Sequence, residues 1–179
     1  HISDPVLKKM NRKITRKEIE ATMSRVRSQL PDVAWRTTFI VGFPTETDQD
    51  FEELLDFVSE GHFQHLGIFL YSDEDNIRSS KFGDPIPISL KEERKNRLME
   101  IQQKISREHH QNMVGSFQQV LVGGFSSETD LLLEGRNQYQ GPEVDGVVYI
   151  NEGNATSAGF HQVEITEAHD YDLVGKILN

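Results

Sequence analysis

The stretch that most limits what this chain can fold into is residues 36–47, Arg-Thr-Thr-Phe-Ile-Val-Gly-Phe-Pro-Thr-Glu-Thr. The apolar, β-branched run up to Val41 reads as a strand, and Gly42-Phe43-Pro44 reads as a turn. Thr47 then opens a helix on which Phe51, Leu54, Leu55 and Val58 recur at i, i+3, i+4 and i+7. Gly61 ends that helix, and residues 63–71 read as a second buried strand. Strand, helix and strand at roughly 30-residue spacing predict a parallel βαβ unit. In α/β folds, ligands bind at the C-terminal edge of such strands, which here is the turn around Gly42.

Two more helices are legible from their first turns. Thr15-Arg16-Lys17-Glu18 has the hydroxyl N-cap and N3 glutamate of a capping box, and predicts a helix to about Leu30, before Pro31. Ser89-Leu90-Lys91-Glu92 repeats the pattern and opens a long helix to about Asn112, with Leu98, Ile101 and Ile105 on one face. Residues 72–89 between the second strand and that helix read as a long polar loop with Gly83, Pro85 and Pro87. From Gly115 the texture changes. Short strands at 116–122, 130–135, 146–150, 161–167 and 172–178, broken by glycine turns, predict a small closed β-barrel. The expected organisation is an α/β domain over residues 1–114 and a five-stranded antiparallel barrel over residues 115–179.

Composition narrows the chemistry. The chain contains no cysteine, which excludes a disulfide scaffold, a thiolate nucleophile and a cysteine-held cluster within these residues. It has no apolar run of membrane-spanning length and no signal-like segment, so a cytoplasmic protein without a membrane partner is expected. A start at His1 rather than Met reads as a piece of something longer. His62 and His65 straddle a strand start, and the adjacent His109 and His110 point apart on a helix, so no metal site is expected. Asp48, Asp50, Glu52 and Glu53 read as a solvated first helical turn that suits the helix dipole. No residue is assigned a catalytic role.

The turn at Gly42–Thr47, together with the opening segment His1-Ile2-Ser3-Asp4-Pro5-Val6-Leu7-Lys8-Lys9-Met10, resembles the radical S-adenosylmethionine (SAM) methylthiotransferases. Thr45 stands where that family usually has a second glycine. Glu134-Gly135-Arg136, the segment Pro142-Glu143-Val144-Asp145-Gly146-Val147-Val148-Tyr149-Ile150, and His169 to Gly175 resemble the TRAM domain, which these enzymes carry at their C-terminus. The resemblance implies the last β/α units of a TIM-like radical SAM barrel followed by a TRAM barrel. It implies SAM as cofactor. It also implies two 4Fe-4S clusters in the full-length enzyme, whose ligands lie outside this cysteine-free chain. A cluster electron splits SAM, the resulting radical takes a hydrogen from an unactivated carbon, and the protein positions the reactants and excludes water. By resemblance, Ser3 lies near the SAM sugar, and Thr38, Gly42 and Phe43 lie beside the adenine with Ile40. Tyr71 lines the same cavity, and Arg36 pairs with the SAM carboxylate.

The match is nearest to the branch that places a methylthio group on the β-carbon of an aspartate in small-subunit ribosomal protein twelve. Its most branch-specific part is Pro142 to Gly146. Charge points the same way. Residues 115–179 hold ten acids against Arg136 and Lys176, a net of −8 within the chain's −10. Nucleic-acid affinity comes mainly from cations that neutralise phosphates. An acidic module is expected to bind little or no RNA and to attract a basic ribosomal protein, with Glu143, Asp145 and Asp170 as substrate-binding acids. The alternatives are the same chemistry on a tRNA adenosine, or a non-catalytic binding module.

Overall fold

A computed structural model describes residues 1–74, 79–155 and 158–178. Residues 75–78 of the predicted polar loop lie outside the described residues. The chain forms two compact units, residues 1–102 and 103–179.

The first unit is built on a parallel pair, β1 (Arg36–Val41) and β2 (His65–Leu70), in register from Arg36 opposite His65 to Val41 opposite Leu70. The predicted βαβ unit is present, with α3 (Asp48–Ser59) as its crossover. Ahead of it come α1 (Asp4–Lys9), with Pro5 in its first turn, and α2 (Arg16–Gln29). The capping box predicted at Thr15/Glu18 forms, and Thr47, which opens α3, closes another with Asp50. The box predicted at Ser89 does not form. α4 runs Ile88–Gln111, starting one residue ahead of Ser89, because the Pro87 carbonyl already accepts the amide of Lys91 at 3.1 Å. Ser89 therefore lies inside the first turn. Of the loop between, Ser80–Phe82 forms a 3₁₀ turn.

The strands alternate faces. Phe39 and Val41 of β1 and Ile68 of β2 are buried against Phe51, Leu54, Phe57 and Val58 of α3, Met23 of α2 and Leu98 of α4. On the other face Arg36, Thr38 and Phe69 are exposed, Phe69 by 65 %. Parallel sheets bury both faces, and among the described residues one face of this pair is covered.

The second unit holds the end of α4 and five strands: β3 (Phe117–Phe125), β4 (Leu133–Arg136), β5 (Val148–Glu152), β6 (Gly159–Ala168) and β7 (Leu173–Ile177). They close in the order β3-β4-β5-β7-β6. The barrel is mixed, not antiparallel as the sequence suggested, since β5 and β7 run parallel. The reason is topological: a closed ring with an odd number of strands cannot alternate direction all the way round. Val120, Val122, Val148, Ile150, Val163, Ile165, Leu173 and Ile177 fill the interior. Register shifts at Val122/Gly124, Ile150/Glu152 and Ile165/Glu167 mark bulges, which bend strands sharply enough to close so small a ring.

The interior has no room to spare at Gly175, where a Cβ would sit 2.5 Å from Val163 Cγ1 and 2.7 Å from the Glu164 carbonyl. At Gly123 the nearest such atom is the Glu134 carbonyl at 3.9 Å. Gly175→Ala should therefore lower the stability of the barrel by roughly 1–3 kcal/mol. Gly123→Ala should be neutral or slightly stabilising, because it removes unfolded-state freedom. Chemical denaturation of the two variants side by side checks this contrast.

Candidate functional site

The turn that follows β1 is organised by one buried carboxylate. Gly42 sits at φ +74°, a conformation glycine takes without strain. Its amide donates to Glu46 Oε2 at 2.9 Å, and the Glu46 amide donates to the Phe43 carbonyl at 2.7 Å. Glu46 Oε1 accepts from Arg94 Nη1 of α4 at 2.7 Å, while Arg94 Nη2 reaches Asp48 at 2.6 Å. His1 accepts the amides of Ile2 and Ser3 on Nδ1 at 3.0 and 3.1 Å, so its ring proton is on Nε2, which faces Glu46 Oε2 at 3.4 Å. Glu46 and Arg94 are both buried. A buried pair of this kind costs about 3–5 kcal/mol to break from one side, because the partner charge is stranded. Glu46→Ala should cost that order in unfolding free energy and free the Gly42 turn, which hydrogen exchange at the Gly42 amide would register.

A second tie joins the start of the chain to α3. Ser3 Oγ donates to Asp50 Oδ1, and Thr47 Oγ1 and its amide donate to Asp50 Oδ2 at 2.6 and 2.9 Å. Asp50 is thus buried and bonded, and the solvated turn expected from Asp48–Glu53 is corrected at this position. Burial opposes the charge on Asp50. The hydrogen bonds from Ser3 and Thr47 outweigh it, and the carboxyl lies below its ordinary value. A depressed folded pKa contributes stability that is present above the unfolded value and lost as pH falls through the folded one. Ser3→Ala should raise the Asp50 pKa and move acid unfolding to higher pH, as read by a carboxyl NMR titration and an acid-unfolding midpoint.

Beyond the strand ends lies a cavity of about 420 Å³, walled by Ile40, Phe43, Leu70 and Tyr71 with Lys9 at the end of α1 and Arg12 just after it. Phe43 and Tyr71 meet edge to face at 5.3 Å. Tyr71 is buried, and its phenol oxygen has no hydrogen-bond partner among the described residues. Ser72, Glu74 and Ser79 of the following loop complete the lining.

The residues singled out from sequence divide between places. Phe43 and Tyr71 share this cavity. Thr38 and Arg36 are exposed and line a second cavity of about 420 Å³ with His1, Met23 and Trp35. Arg36 is at the N-terminal end of β1, about 20 Å from Gly42 along the strand at ~3.3 Å per residue. Arg12 lines both cavities. Ser3 is committed to Asp50, and the space a Cβ at Gly42 would need is filled by the stem of Lys91, whose Cδ would lie 2.7 Å away. Sequence reasoning missed the buried cations Lys91 and Arg94. A signal existed, since both lie on the face of Leu98, seven and four residues ahead of it.

In the barrel, Glu143 and Asp145 line a groove of about 320 Å³ with Glu134 and Arg136. Glu143 is exposed at φ +64°. Asp145 accepts the Gly141 amide at 2.7 Å. Asp170 is not in that groove, and pairs with Gln103 at 2.7 Å and Arg107 at 3.5 Å. His62 bonds Glu60 at 2.7 Å. Among the described residues, no helix is long and apolar enough to cross a membrane.

Residues 1–58 match the radical SAM superfamily and residues 114–178 match the TRAM domain. The chain is 50 % identical over 178 residues to the ribosomal protein uS12 methylthiotransferase RimO of Bdellovibrio bacteriovorus, covering 99 % of the chain and 39 % of that protein. It is 44 % identical over 179 residues to the protein of the same name from Geobacter sulfurreducens, covering all of the chain and 40 % of the relative. The Geotalea uraniireducens protein of that name is 44 % identical over 178 residues, with 99 % and 40 % covered. The chain spans about two-fifths of the length of these curated relatives.

Proposed function

We propose that this chain, a radical SAM segment joined to a TRAM domain, supplies the late half of the SAM site and the substrate-docking module of a methylthiotransferase. The observation that carries the reading is similarity along the whole chain to proteins named uS12 methylthiotransferases. The strand-edge cavity supports it. Ile40, Phe43 and Tyr71 offer apolar and aromatic walls suited to an adenine, and the buried Tyr71 phenol wants a polar partner. Lys9 and Arg12 place cations on its rim for a carboxylate.

SAM bound there would supply both the radical precursor and the methyl group. The clusters this chemistry needs find no thiolate here, so the residues that hold them lie elsewhere in the full-length protein. What the chain's own residues contribute is a fixed strand edge, an aromatic and aliphatic wall, and help in excluding water from the reacting carbon. The bare face of the β1–β2 pair, with Arg36, Thr38, Ile40 and Phe69, is the face that further barrel strands would enclose.

The substrate is an aspartate of the basic ribosomal protein uS12, and the acidic barrel is its docking module. Lys176 is paired with Glu164 at 3.2 Å and Arg136 sits beside Glu134 in the groove, so the barrel presents no track of cations to phosphates. A carbon on a protein aspartate, not on tRNA, is the expected acceptor. The test incubates the anaerobically reconstituted full-length enzyme with SAM, sulfide and dithionite as the electron donor, offering uS12 and tRNA in parallel at two ionic strengths. Mass spectrometry should find a methylthio group on a uS12 aspartate, with uS12 association slowing as salt rises. Modification of tRNA alone would move the protein to the nucleic-acid branch.

A further inference from the structure

Lys91 is the most deeply buried charge that the reading above leaves unused, with 2 % of its surface exposed. Three contacts fix it. Its alkyl stem fills the space over Gly42. Its ammonium donates to the Tyr71 carbonyl at 2.8 Å and to the Asp84 carboxylate, and it lies 5.4 Å from the centre of the Tyr71 ring. One side chain on α4 therefore touches the turn after β1, the end of β2 and the loop that leads into α4. All three border the strand-edge cavity: Phe43 follows Gly42, Tyr71 is a wall, and Ser79 lies five residues ahead of Asp84. Phe82, two residues before Asp84, packs edge to face on Phe43 at 6.0 Å.

A buried ammonium is an expensive way to hold a helix to a sheet. An apolar side chain of similar length would cover Gly42 equally well without desolvating a charge. What only the ammonium can do is hold a backbone carbonyl and a loop carboxylate at once. Asp84 is one-third exposed at its side chain, so the pair lies at the boundary between core and loop.

We propose that Lys91 is a positioning residue for the ligand cavity. It sets Tyr71 and, through Asp84, holds Phe82 against Phe43, so that nucleoside affinity depends on its charge. The proposal rests on reading the cavity as the SAM site. The residue acts through Tyr71 and Asp84 rather than by touching the ligand.

The test measures S-adenosylhomocysteine binding by calorimetry on the reconstituted full-length enzyme. The variants are Lys91→Met, which keeps the stem and loses the charge, Asp84→Asn, the double variant, and Leu98→Ala as a packing control on the same helix. Loss of charge-assisted hydrogen bonds to the wall should weaken binding about tenfold or more in Lys91→Met. Asp84→Asn should weaken it in the same direction, and the double variant should be no worse than Lys91→Met, because both remove one coupled contact. Leu98→Ala should lower the melting temperature and leave affinity intact below it. Full affinity in a folded Lys91→Met, or an equal loss in Leu98→Ala, would overturn the positioning role while the SAM reading stands. If Lys91→Met does not fold, unchanged affinity in Asp84→Asn overturns it. Absence of binding by the unaltered enzyme sinks the SAM reading and this inference together.

Discussion

The buried Glu46–Arg94 pair is the interaction on which the first unit depends. It is the point at which a local turn becomes tertiary structure. Glu46 accepts the Gly42 amide and so shapes the turn, then accepts from α4 and so fixes where that helix lies against the strand edge. Arg94 extends the connection to Asp48 at the start of α3 and lies over Phe51 at 5.3 Å. The helix that Arg94 pins brings Lys91 over Gly42 one turn earlier and Leu98 into the core one turn later. Charge is costly to bury, and the structure keeps it where hydrophobic packing could not specify one orientation of a helix against a turn.

What the sequence revealed follows the range of the interaction responsible. The boxes at Thr15 and Thr47 are closed within four residues, so their pattern is their cause. Ser89 carries the same pattern and is not a cap, because Pro87 starts the helix first. Barrel strands were legible as short runs broken by glycine turns, because a small closed barrel must turn often. Their directions were not, because pairing order is a property of the closed ring. Phe43 and Tyr71 were legible as neighbours because parallel register brings strand ends together, with the Tyr71 amide donating to the Val41 carbonyl at 2.9 Å. Arg36 was assigned for the chemistry of its guanidinium, and the structure places it at the start of β1, a full strand length from Gly42. The positions of Lys91 and Arg94 on the face of Leu98 could be seen, but their partners could not, because these are distant in sequence or, like Asp84, within a loop that carries no pattern.

The acids of the second unit divide in a similar way. Asp145, Asp170 and Asp172 each hold a structural partner, at Gly141, at Gln103 and Arg107, and at the Val147 amide. These residues build turns before they attract anything. Partnering leaves the net charge of the module intact, because amide donors neutralise nothing and only a few cations are present. A field that steers a basic partner depends on that sum, while a contact that recognises it depends on groups still open, such as exposed Glu143.

The two faces of the β1–β2 pair show the same separation in the first unit. Phe39, Val41 and Ile68 are spent on the core with α3, and changes there act on folding. Thr38 and Gly67 sit side by side on the other face with little bulk between them, between the Arg36–His65 pair and the Ile40–Phe69 pair. Small residues in mid-strand contribute little to packing, and a bare parallel face cannot be justified by the stability of these residues alone. It forms a wall that is polar at the strand starts, low at the centre and apolar towards the C-terminal ends. The network of Glu46, Arg94 and Lys91 lies at the rim of that wall, where covered and open faces meet, so the groups that secure the fold also set the shape of the cavity edge.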